Sequence, residues 1–138
     1  MQKHLTFSFL AALVLAAPAA RAQMTDASTI RPILEATQAS WIGVRRFDGQ
    51  DLVYFTHLET WKCGLKSIRY GINTDAATKR YAFVACKEGE AAPSPISADR
   101  LPYVSFPLDS IETVTITLTY DDGVEVTHSF DRAAVEIP

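Results

Sequence analysis

From Thr113 to Phe130 the chain alternates with a period of two. Val114, Ile116, Leu118 and Tyr120 interleave with Thr113, Thr115, Thr117 and Thr119. After Asp121-Asp122-Gly123, residues Val124, Val126, His128 and Phe130 interleave with Glu125, Thr127 and Ser129. A helix repeats its apolar residues every three or four positions, so this pattern demands two strands, each with one buried face. Loop length fixes the register. A two-residue turn at Asp122-Gly123 would set Tyr120 opposite Glu125 and mix the faces. A three-residue loop with Gly123 in the left-handed conformation pairs 120 with 124, 118 with 126, 116 with 128 and 114 with 130. The apolar residues then share one face. The other face carries Thr117 opposite Thr127 and Thr115 opposite Ser129. His128 is expected on the apolar face, as a core or interface histidine opposite Ile116.

Other signals agree with a β-rich chain. Trp41–Phe47 and Leu52–His57 flank Asp48-Gly49, a hairpin signature that pairs Val44 with Val53, Ile42 with Phe55 and Arg46 with Asp51. Leu65–Ile72 and Lys79–Cys86 read as strands around a polar loop at 73–78, with Ile68, Tyr70 and Ile72 inward and Leu65, Ser67 and Arg69 outward. Tyr103–Phe106, next to prolines, reads as a short edge strand. Glu88–Pro102 is long for a connection and reads as a crossover between sheets. Ahead of the strands, Ile30, Ile33, Leu34 and Thr37 have helical spacing within Thr25–Ser40, with Ser28 or Thr29 as cap and Pro32 in the first turn. One helix and about seven strands in hairpins point to a mainly β fold, a small antiparallel β-sandwich of immunoglobulin-like type. The alternative is an α+β single sheet with the helix packed on it.

Residues 1–22 have the order of a secretory signal peptide. Lys3 and His4 open it, an apolar run follows from Leu5 to Ala17, and Ala20-Arg21-Ala22 places small residues before a cleavage point at Ala22/Gln23. The run is too short for a membrane-spanning helix, which needs about 20 residues. The expected mature protein is a single domain, 23–138, that is secreted or periplasmic. Loss of Lys3 and Arg21 leaves 11 basic against 16 acidic residues, a net charge of −5. That balance argues against nucleic acid as a partner.

Export changes the reading of the cysteines. In an oxidising compartment Cys63 and Cys86 form one disulfide. The 73–78 loop is centred near their midpoint, so the hairpin folded there brings them together. Closing this loop contributes roughly 3 kcal/mol on chain-entropy grounds.

Chemistry is sparse. There is no G-x-S-x-G, no glycine-rich phosphate loop and no H-E-x-x-H. If the strand at Leu52 continues, His57 and Glu59 share a face. With Asp51 they are the weak candidates for a metal-dependent or hydrolytic site, although two ligands are too few for a catalytic zinc. No cofactor or metal is implied. The segment from Trp41 to Tyr81 is richer in Arg, Trp and Tyr, the residue types that carry protein–protein contacts. Trp41, Arg45, Trp61 and Arg69 form the candidate interaction face. The expectation is an exported, non-catalytic protein-interaction or envelope accessory module. The alternatives are an enzyme using His57, Glu59 and Asp51, or a small-ligand carrier with an apolar cavity between its sheets. The oligomeric state is not encoded in any of these features.

Overall fold

The computed structural model describes residues 25–87, 95–96 and 98–138. The expected signal peptide and most of the Glu88–Pro102 connection lie outside the described residues. Seven strands follow a helix: α1 (Ala27–Ala36), β1 (Gly43–Phe47), β2 (Gln50–Tyr54), α2 (Thr56–Thr60), β3 (Leu65–Ile72), β4 (Lys79–Tyr81), β5 (Tyr103–Pro107), β6 (Thr113–Tyr120), β7 (Glu125–Asp131) and a last turn of helix, α3 (Arg132–Val135). They build two antiparallel sheets, in the orders β1-β2-β5 and β4-β3-β6-β7. This is a seven-stranded immunoglobulin-like arrangement, with the fourth strand on the edge of the second sheet instead of the first. The single-sheet alternative does not hold. Among the described residues, no helix is long and apolar enough to cross a membrane.

The β6–β7 register is the one the alternation demands. Val114 pairs with Phe130, Ile116 with His128 and Leu118 with Val126. Tyr120 and Val124 close the loop by a 2.9 Å backbone hydrogen bond, with Gly123 at φ +87°. Val114, Ile116, Leu118 and Tyr120 are fully buried against Val44, Val53 and Phe55 of the other layer. Thr117 bonds Thr127 and Thr115 bonds Ser129 on the outer face, each at 2.7 Å. At Asp48-Gly49, Val44 pairs with Val53 and Arg46 with Asp51; both turn residues have positive φ. Ile42 and Phe55, expected as a pair, lie beyond the ends of β1 and β2.

In the disulfide hairpin, Ile68 pairs with Tyr81, Arg69 with Arg80 and Tyr70 with Lys79. That register centres on the midpoint between the cysteines, and Cys63 and Cys86 are bonded with Cα atoms 5.0 Å apart. β4 is shorter than expected and ends at Tyr81. Leu65 is buried, not outward, because the register against β6 shifts between Leu65 and Ser67. Lys66 is the extra residue of this bulge, and it reverses the side on which Leu65 falls. The helix starts at Ala27, earlier than a cap at Ser28 or Thr29 would set it, and Asp26 caps it by accepting from the Thr29 amide at 2.9 Å. Pro32 therefore lies in the second turn. There it removes the intrahelical hydrogen bond that would run to Ser28, on an exposed side of α1.

Candidate functional site

The three weak catalytic candidates do not converge. Asp51 is fully buried on β2. Its carboxylate accepts from Arg132 Nη1 at 2.6 Å and Nη2 at 3.0 Å, and from the Ile111 amide at 3.3 Å. The Arg132 hydrogen bond holds the Asp51 pKa down at about 2 despite burial. This pair ties β2 of one sheet to the end of β7 in the other.

Glu59 is 2% exposed and accepts from the Tyr81 hydroxyl and from Arg100 Nη1, both at 2.7 Å. Burial, reinforced by Glu59, pushes the Tyr81 phenol up. Tyr81 stacks on Phe55 at 4.0 Å, and the Arg100 guanidinium sits over the Tyr81 ring at 5.0 Å. Beside them Lys62, 1% exposed, donates to the Pro95 carbonyl at 2.6 Å, and burial lowers its pKa. Sequence reasoning missed this polar cluster, which ties the long connection, at Pro95 and at Arg100, to the segment from α2 to β3 and to Tyr81 of the disulfide hairpin.

His57 belongs to neither set; its Nε2 lies 2.9 Å from Thr37 Oγ1. The expected His57–Glu59 face is absent because Thr56–Thr60 is helical. Residues two apart on a helix lie about 200° apart around its axis, so they do not share a side. Among the described residues, no group of three or more His, Cys, Asp or Glu could hold a metal ion.

The candidate interaction residues also separate. Trp41 is 1% exposed and belongs to the core, with Nε1 donating to the Leu34 carbonyl at 2.8 Å. It is not on an outer face, because it precedes β1 and turns under α1. His128, in contrast, is exposed at the edge strand β7, where its ring meets Trp41 edge-on at 5.2 Å. Trp61 is half-buried against the core. Arg69 lies on the outer face of the four-stranded sheet, paired with Glu125.

Arg45 lies on the outer face of the three-stranded sheet. Register places Gly43, Arg45 and Phe47 of β1 in rows with Tyr54, Leu52 and Gln50 of β2 and with Tyr103, Ser105 and Pro107 of β5. Alternation puts these nine positions on the face away from Val44 and Val53. Leu52 carries the clearest sign. It is 3% exposed, yet it stands outside the inter-sheet core, so its neighbours on the outer face close over it. Around it Tyr54 and Tyr103 pack at 5.2 Å, and Phe47 is 53% exposed beneath the Arg45 guanidinium, 4.8 Å from its ring. Five of the seven described arginines pair with carboxylates; Arg45 and Arg80 do not. Asp48-Gly49 already implied the β1–β2 half of this face. Nothing local in the sequence announced Tyr103.

At one end of this sheet lies a hollow of about 380 Å³, lined by Trp41, Ile42, Tyr54, His57, Val135 and Ile137 among others. Between the sheets, Ile116, Leu118 and their neighbours form the buried core. Comparison with known proteins finds no matching family model, no matching curated protein and no matching solved structure.

Proposed function

We propose that the protein is an exported, non-catalytic binding module that docks a protein partner on the outer face of its three-stranded sheet. The observation that carries this reading is the surface built from Arg45, Phe47, Tyr54 and Tyr103 around a buried Leu52. These are the residue types that supply most interface energy, because they combine large area with directed polar contacts. Arg45 has no carboxylate partner among the described residues, so the partner's surface presents an acidic group to it and an apolar one to Phe47. Asp51 and Glu59 are occupied by Arg132, Arg100 and Tyr81, which supports a role without catalysis. The Cys63–Cys86 disulfide and the leader-like residues 1–22 support export.

The test is affinity capture of exported proteins from the native cell on the oxidised 23–138 protein. A partner held by the wild type and by Arg69→Ala, but lost by Arg45→Ala/Tyr103→Ala, is expected. Capture that survives the double variant, or no capture at all, overturns the reading.

A further inference from the structure

We infer that the hollow beside His57 is a second site, adjoining the proposed docking face at Tyr54, which binds a small neutral molecule of phenol type: an aromatic body with one hydroxyl donor. Its walls come from three stretches of chain: the Trp41-Ile42 segment, the β2–α2 junction from Tyr54 to His57, and the C-terminal residues 134–137. The C-terminal wall is fixed. The Ile137 amide donates to the Val44 carbonyl at 2.8 Å, and Glu136 bridges Val44 in parallel fashion. Gly43 lets the tail come this close, since a Cβ there would lie 3.1 Å from Ile137 Cδ1. The volume of about 380 Å³ suits a molecule of one or two rings.

The polar chemistry of the hollow is specific. Thr37 Oγ1 lies 2.7 Å from the Ile33 carbonyl, which only accepts, so the single hydroxyl proton goes there. The 2.9 Å contact with His57 must then be an Nε2–H donating to Thr37. Nδ1 is left as a bare lone pair with no protein donor among the described residues. Burial lowers the His57 pKa, which keeps the ring neutral near pH 7. Thr37 is not part of the wall, so Nδ1 is the ring nitrogen available to a ligand's hydroxyl. The only charged residue in the wall is Glu136, already engaged by Arg46. A neutral imidazole and a carboxylate disfavour an anion, and Glu136's existing partner leaves a cation little to gain. The remaining walls, with Ile42, Val135 and the Tyr54 ring, suit an apolar ring system.

The experiment titrates 4-ethylphenol and 4-ethylanisole into the ¹⁵N-labelled, oxidised 23–138 protein. The two probes differ in the hydroxyl donor. Saturable shifts are expected at the Gly43, Thr56, His57, Val135 and Ile137 amides, with the phenol binding about tenfold tighter, the value of one hydrogen bond. Long-range ¹⁵N–¹H spectra of the wild type read the ring directly. Nδ1 should be unprotonated, and it should move on adding the phenol but not the anisole. His57→Phe keeps the ring and removes the acceptor, so it should erase the tenfold preference. No saturable shifts, shifts centred elsewhere, equal affinity for both probes, or a proton on Nδ1 would each overturn the inference.

Discussion

The two sheets of the sandwich treat their outer faces in opposite ways. On β6 and β7 of the four-stranded sheet the outward groups satisfy one another, although Arg80 of β4 pairs with no carboxylate among the described residues. Thr117 bonds Thr127, Thr115 bonds Ser129, and Glu125 takes both the Thr119 hydroxyl and Arg69. On the three-stranded sheet four of the nine outward positions, Arg45, Phe47, Tyr54 and Tyr103, are aromatic or cationic. They stack instead of pairing, and they close over a leucine that the core does not use. A self-satisfied polar ladder gains little from a partner. An aromatic and arginine surface with unspent hydrogen-bonding capacity gains a great deal. This contrast is what puts the proposed docking face on the three-stranded sheet.

The largest expected effect comes from cutting the link between them. Asp51→Asn takes from Arg132, 13% exposed, its hydrogen-bonded carboxylate, leaves it facing Glu136 at 3.7 Å, and should cost about 3 kcal/mol. The pH dependence gives the signature. Asp51 has a folded pKa of about 2 against 3.8 unperturbed, so its stabilisation is complete above pH 4 and fades as pH falls toward 2. Urea unfolding of both proteins at pH 7 and pH 2 should show a wide gap that narrows in acid. A gap of equal size at both pH values would mean that the carboxylate charge is not what joins the layers.

Next come the two hairpin turns, one per sheet. Gly123 has φ +87° and Gly49 φ +73°, and nothing lies within 4 Å of a Cβ at either position. Valine at either position meets no steric neighbour, only backbone strain, and should cost roughly 1–2 kcal/mol. An unchanged melting temperature for Gly123→Val would break the three-residue loop that registers β6 on β7. The same result for Gly49→Val would break the turn that places Arg45 beside Leu52.

What was legible in the sequence divides along similar lines. The β6–β7 register followed from alternation plus one glycine, and the disulfide followed from the symmetry of its hairpin. Both are local patterns. α2 was not legible, because Phe55, His57, Glu59 and Trp61 mimic a strand's period of two. The β2–β5 pairing carries on to the Phe55 amide, which donates to the Pro102 carbonyl at 2.7 Å, and the Phe55 carbonyl then accepts from the Glu59 amide at 2.9 Å, turning the chain into α2 with Leu58 fully buried. The proposed docking face was half legible. Arg45 belonged to the expected set, but Trp41 proved to be core, and Tyr103 joins only through the long-range pairing of β5 with β2. Asp51 looked catalytic because its partner, Arg132, lies 81 residues away.

The smallest expected effect separates the two faces most cleanly. Arg45→Ala and Arg69→Ala should each cost about 0.5 kcal/mol or less, for different reasons. Arg69 contributes through an exposed ion pair with Glu125, so its loss should shrink in 1 M salt, where charges are screened within about 3 Å. Arg45 contributes through its aliphatic stem and its stacking on Phe47, which together help to cover Leu52. That is burial of apolar surface, which salt does not screen, so its loss should persist. Unfolding curves for both variants at low and high salt decide the matter. If the Arg45 effect fades with salt as the Arg69 effect does, Arg45 is already held by a carboxylate of this chain. The three-stranded sheet would then be as self-satisfied as its neighbour, and its outer face would offer a partner nothing that the other face lacks.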